Sequence, residues 1–247
     1  MKFGNGPIQE QHSRRGSDPP FGRHCPTLLV IGSRGIGRIA RTATDLLRSQ
    51  GLHVGLSLAE SAFINGERVR AISASLAQLH RQLIRHDGLH ALIVAASVRR
   101  AMERPLGLRT VTAASLWGDI ETECRVQPVL AFAEAFQAPL IVTSGSRIEK
   151  VLTRHFARER LVIIGSAPGA SAVEEHIGRG GSGLLCRWSR DGREPHSAGF
   201  YLKGTLLVRS GFPDLRFERG RGAEARLHAF ALAQLALVAD AQARTYH

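Results

Sequence analysis

The stretch Thr27-Leu-Leu-Val-Ile-Gly-Ser-Arg-Gly-Ile-Gly-Arg-Ile-Ala-Arg41 limits the folds open to this chain more than any other. Thr27–Ile31 is an apolar run of strand length and reads as a buried strand. Gly32, Gly35 and Gly37 permit a sharp turn. Helical periodicity then runs from Gly35 to Gln50 and stops at Gly51, a residue suited to the position just past a helix end. His53–Leu58 supplies a second strand. Strand, glycine turn, helix and strand form the unit from which parallel sheets are built.

The rest of the chain keeps that alternation. Phe63-Ile-Asn-Gly-Glu-Arg-Val69 predicts a hairpin with Asn65-Gly66 at its tip. Ala71–Arg85 predicts a helix stopped at His86-Asp-Gly88. Leu89–Ala96 is a continuous apolar run, the signature of a strand covered on both faces. Leu108–Leu116, Pro139–Thr143 and Arg160–Gly165 read as strands. Gln127–Gln137 and Ile148–Ala157 read as helices. Composition shifts at Gly178–Gly183. Beyond it, Gly183–Trp188, Gly199–Lys203 and Thr205–Arg209 predict a small antiparallel appendage spanning about 183–219. Glu224–Ala243 predicts a closing helix with Leu227, Phe230, Ala231, Leu235 and Val238 on one apolar face. The expected fold is three-layer α/β around a mostly parallel sheet, with a small antiparallel β addition.

Composition narrows the function classes. Residues 1–25 are rich in Gly, Pro, Ser and Arg and read as a disordered basic tail before one domain over 26–247. There is no apolar run of transmembrane length and no signal-peptide core, so no membrane role is expected. Cys25, Cys124 and Cys186 are scattered and odd in number, which fits a reducing, cytoplasmic setting. The formal net charge is +12. Arginine dominates, with Lys2, Lys150 and Lys203 the only lysines, and no dense basic run or aromatic platform accompanies it. That argues against specific nucleic-acid binding and leaves a solvated basic surface or an acidic partner.

The loop Gly32, Ser33, Arg34, Gly35, Ile36, Gly37, Arg38 admits three readings. A P-loop carries, after its last glycine, a lysine that neutralises phosphates and a hydroxyl that holds Mg²⁺. Here those places hold Ile36 and Gly37. Ser33-Arg-Gly-Ile-Gly-Arg38 is similar to the dinucleotide loop of short-chain dehydrogenases. The spacing from Gly32 is one residue short, however, and neither Tyr201 nor Tyr246 has a lysine four residues on. A plain strand-turn-helix, with glycines only for close packing, is the third reading.

The segments C-terminal to the loop favour a different resemblance. Leu46-Leu-Arg-Ser-Gln-Gly-Leu-His-Val-Gly-Leu56 resembles the LRxxGxxVGxTTT helix-to-strand step of Mur ligases. Ala62-Phe-Ile-Asn-Gly-Glu-Arg68 resembles the DGxYINGxxV hairpin of cyanophycin synthetases. The segment Leu161–Leu185, with His176 and Gly180-Gly181, and the helix from Ala223 are similar to later pieces of the same domain. From about Pro26 to Asp240 the chain thus resembles the central Mur-ligase-like domain of cyanophycin synthetase.

In that family the domain makes an acyl phosphate from ATP and a carboxylate, and an amine then displaces the phosphate. Carried over position by position, the resemblance implies concerted loss. The loop lysine falls on Ile36 and the next hydroxyl on Gly37. The metal-serving glutamate of LETARGG falls on Ala95. TNxxxDHLG lands near Leu116–Asp119, where Asp119 has no histidine after it. LNADDP lands on Ile141–Arg147 without its Asn or either Asp. The helix Gln127–Gln137 lacks the family's lysine. The resemblance therefore implies a pseudoenzyme with no cofactor and a degenerate phosphate loop. Such a chain would serve as a structural or regulatory partner of an active cyanophycin synthetase-like subunit, in an oligomer. The alternative is an ATP- and Mg-dependent amide ligase with the loop rebuilt around Arg34 and Arg38.

Other constellations carry less. His80, His86 and His90 cluster in sequence, but Asp87-Gly88 breaks the helix a metal pair would need. Glu121-Thr-Glu123 reads as surface. No Gly-x-Ser-x-Gly elbow occurs, and no cysteine sits in a nucleophile motif. Gly178–Gly183 reads as a turn between helix and strand.

Overall fold

The computed structural model describes residues 25–58, 61–69, 75–86, 88–103, 106–118, 126–166, 170–188, 195–210 and 221–245. The tail Met1–His24, residues 71–74 of the expected second helix, Asp87, Asp119, Glu121–Glu123, Cys124 and residues 211–220 lie outside them.

Among the described residues, one sheet of 11 strands organises the fold, in the order β11-β10-β9-β8-β7-β6-β1-β5-β2-β3-β4. In chain order the strands are β1 Thr27–Gly32, β2 Val54–Leu58, β3 Ser61–Ile64, β4 Glu67–Val69, β5 Ala91–Ser97 and β6 Ala113–Trp117. They continue with β7 Leu140–Thr143, β8 Leu161–Ser166, β9 Ser182–Trp188, β10 Pro195–Leu202 and β11 Thr205–Ser210. The block from β9 to β2 is parallel throughout. Each flank ends in an antiparallel pair of strands. The α/β expectation holds, with one difference: β9 pairs in parallel with β8, so the glycine-rich region extends the main sheet instead of standing apart from it. The strand expected over Leu108–Leu116 is also shorter and later, because β6 begins at Ala113.

Two helical layers cover the sheet. Helices α1 (Ile36–Ser49) and α7 (Arg221–Thr245) bury one face. Helices α2 (Leu76–Ile84), α3 (Val98–Glu103), α4 (Val126–Phe136), α5 (Arg147–His155) and α6 (Ala170–Gly178) cover the other. Strand alternation sorts the core accordingly. On β1, Leu28 and Val30 face α1 and α7, while Leu29 and Ile31 face the opposite layer. β5 does the same with Ile93 and Ala95 against Leu92 and Val94. This two-sided burial is why both strands read as unbroken apolar runs. Turn chemistry also matches the sequence. Asn65 (φ 52°) and Gly66 (φ 91°) make the β3–β4 turn, and the Asn65 Oδ1 accepts from the Val54 N–H at 2.9 Å.

Candidate functional site

The chain leaves β1 through α1 toward β2 on one flank, and leaves β6 toward β7 on the other. The carboxyl ends of β1 and β6 therefore flank a topological switch point, where open α/β sheets form their ligand crevices. A cleft of about 590 Å³ lies there. The loop contributes Ser33, Arg34, Gly35 and Arg38. The end of β7 and the start of α5 contribute Thr143 and Ser146, and the first turn of α7 contributes Glu224.

Two loop glycines are required by geometry. A Cβ on Gly32 would collide with the main-chain carbonyl oxygen of Trp117. Gly35 (φ 88°) is the N-cap of α1, in the left-handed region that favours glycine. Its carbonyl accepts from the Arg38 N–H at 2.9 Å. No side chain caps α1, and no acidic residue occupies its first turn. A helix start of this kind concentrates partial positive charge at the cleft.

Ile36, where the sequence resemblance would place a lysine, is half-buried and packs against the apolar core on the α1–α7 side. Its Cγ2 lies 3.1 Å from where a Cβ on Gly32 would stand. Around Gly37 nothing would approach an added Cβ within 4 Å. Ala95 is buried in the core. Thr143 and Ser146, from the Ile141–Arg147 segment, do meet the loop at the cleft.

Beneath the loop lies a polar cluster that sequence reasoning missed. Trp117, at the end of β6, donates its indole N–H to the Arg34 carbonyl at 2.9 Å. Its ring packs edge-on against His228 of α7, with centroids 5.1 Å apart. His228 is fully buried. Its Nδ1 lies 2.8 Å from the Ser115 hydroxyl of β6, and its Nε2 lies 2.9 Å from the Thr143 hydroxyl of β7. Burial lowers its pKa to about 3. The ring is thus neutral, with one nitrogen donating and the other accepting. The readable signal was a histidine in the middle of the apolar helix face Leu227–Leu235.

The remaining candidates do not converge on the cleft. His80 is buried between the Ser57 hydroxyl (2.9 Å) and the Leu106 carbonyl (2.7 Å). Burial is the main cause lowering its pKa. The His90 Nδ1 accepts from the His53 N–H at 2.9 Å. Among the described residues, no group of three or more His, Cys, Asp or Glu could hold a metal ion. Cys25 and Cys186 are buried, which pushes their thiols up to about 12 and about 11, the opposite of a nucleophile. No helix of the described residues is long and apolar enough to cross a membrane.

Comparison of the whole fold with solved structures gives a consistent neighbourhood. UDP-N-acetylmuramoyl-L-alanyl-D-glutamate–2,6-diaminopimelate ligase matches over 89% of this chain and 43% of its own, with a TM-score of 0.52 and 15% identity. A bifunctional folylpolyglutamate synthase/dihydrofolate synthase, solved with Mn, AMPPNP and L-glutamate bound, matches over 87% of this chain and 54% of its own, with a TM-score of 0.50 and 15% identity. The fold is Mur-ligase-like. The chain spans about half the length of these structures. No protein-family model and no curated protein matches the sequence. The Mur-ligase-like fold is thus carried by topology, with little sequence identity behind it.

Proposed function

We propose that this chain is a catalytically silent Mur-ligase-like protein that acts as a structural or regulatory partner of an active cyanophycin synthetase-type ligase. The observation that carries the reading is Ile36. At the position where the resemblance expects a phosphate-neutralising lysine, an apolar side chain turns into the core beneath the loop. Gly37 comes next with no hydroxyl, and Ala95 is buried where a metal-serving carboxylate is expected. These residues do not fit a magnesium–nucleotide complex. Loss of a single charge-stabilising donor lowers a rate by roughly 10²–10³, so joint loss removes the reaction. The net charge of +12 favours an acidic partner.

A second reading rests on Arg34 and Arg38, which line the cleft beside the start of α1. They could carry the charge of the missing lysine in an ATP-dependent amide ligase. Nucleotide binding separates the two readings, because a ligand that binds only the native state raises its melting temperature. The expected result is no shift with ATP and Mg²⁺, no ATP hydrolysis, and co-elution with a co-expressed cyanophycin synthetase-type ligase. A marked shift accompanied by turnover supports the ligase. Failure of the two chains to co-elute removes the partner role.

A further inference from the structure

The two edges of the sheet are built differently. One edge is β4, three residues long, with Glu67 and Arg68 exposed. A short, charged edge is a common guard against pairing with another sheet. The other edge is β11, six residues long, Thr205-Leu-Leu-Val-Arg-Ser210, bonded among the described strands only to β10. Its ladder steps from Phe200↔Val208 to Tyr201↔Leu206, so Leu207 has no residue opposite it on β10. Leu206 and Leu207 are 38% and 44% exposed, the two large hydrophobic residues so exposed among the described ones. A bulge usually defends an edge by twisting it away or carrying a charge. This bulge carries a leucine.

We propose that β11 pairs with β11 of a second copy of this chain, antiparallel, about a two-fold axis between Leu206 and Leu207. That register sets Leu206 opposite Leu207 of the other copy, and Thr205 opposite Val208. Apolar cross-strand pairs of this kind stabilise a joint sheet. Lys203 and Gly204, at φ 48° and φ 77°, turn away before β11 begins, so the paired stretch Thr205–Val208 carries no charged residue. β4 is too short and too charged to receive β11 in its place. The contact therefore closes as a dimer and does not propagate into a filament. Each copy carries +12, so added salt, by screening the repulsion, tightens the dimer.

Sedimentation velocity over about a hundredfold range of concentration, at two salt concentrations, tests this surface. The expected result is a concentration-dependent rise from the 26.8 kDa monomer to twice that mass, favoured by salt. A variant carrying Leu206→Lys and Leu207→Lys should remain monomeric, unfold cooperatively, and melt at a temperature that does not depend on its concentration. A wild-type chain that is monomeric throughout, or a dimer undisturbed by both lysines, overturns the proposal. Should the variant not melt cooperatively, hydrogen exchange of the wild-type Thr205–Ser210 amides decides: it should slow as concentration rises, and no change overturns the pairing. These measurements use the chain alone, so their failure leaves the proposed partner role standing or falling on its own test.

Discussion

Helices α5 and α1 begin at the mouth of the same cleft and are finished by opposite means. At α5, Ser146 accepts from the Glu149 N–H at 3.2 Å and donates to the Thr143 carbonyl at 2.7 Å. Glu149 reaches back to the Gly145 N–H at 3.3 Å. The donors of that helix start are met from within, an arrangement close to a capping box. At α1, the cap is a left-handed glycine with no side-chain bond, and Ile36 and Gly37 come after it. The contrast teaches that two similar α/β turns can diverge, one finished for stability and the other kept in the shape of a binding loop. The second continues as Ile36-Gly37, with neither a lysine nor a hydroxyl side chain after the cap.

Acid should strain the ground beneath both starts most strongly. His228 ties β6, beneath α1, to β7, which leads into α5. Its native pKa is about 3, against about 6.5 in an unfolded chain. Between those values the unfolded state binds the extra proton, so stability is complete above about pH 6.5 and falls as pH falls toward 3. The slope approaches ~1.4 kcal/mol per pH unit. His80 and His176, also lowered chiefly by burial, act in the same direction. Urea midpoints at neutral and mildly acid pH should differ accordingly, and His228→Leu should flatten the dependence.

Gly32→Ala is the next largest effect, because the new methyl group meets a main-chain oxygen that cannot swing aside. A loss of about 3 kcal/mol is expected from chemical denaturation. A wild-type midpoint would show that β1 and β6 can separate at this end. Ser146→Ala probes the finished start and should lower stability by about 1 kcal/mol, measured the same way. Gly37→Ala probes the bare start and should raise stability by about 0.5 kcal/mol. It does so because an alanine fits the open space and restricts the unfolded chain. If Gly37→Ala were instead destabilising, the first turn of α1 would hold something that a methyl group displaces.

Much of the fold was legible because local signals agreed. Thr27–Ile31 and Leu89–Ala96 are apolar without alternation, and both are central strands buried on two sides. Asn65-Gly66 fixed a hairpin by backbone preference alone. The order of β9 against β8 was not legible, since parallel partners are chosen by packing across the sheet and leave no turn between them in sequence. The loop Gly32–Arg38 could be read as a glycine turn after a strand, and it stands where such a turn should. Trp117, Ser115, Thr143 and His228 lie on three separate elements. Nothing local to any one of them announces the other three, and only the closing helix assembles them.

That helix also sets the order in which the site can exist. His228 is separated by 113 residues from Ser115 and by 85 from Thr143. During synthesis β1, β6 and β7 emerge well before residue 228 does. Until the last helix arrives, the hydroxyls of β6 and β7 face water, and Trp117 lacks the ring it packs against. The glycine turn is made well before its floor is complete. Truncation or slow docking of the final helix thus leaves a nascent chain with an open sheet face beneath its own loop, the kind of exposed surface that chaperones hold.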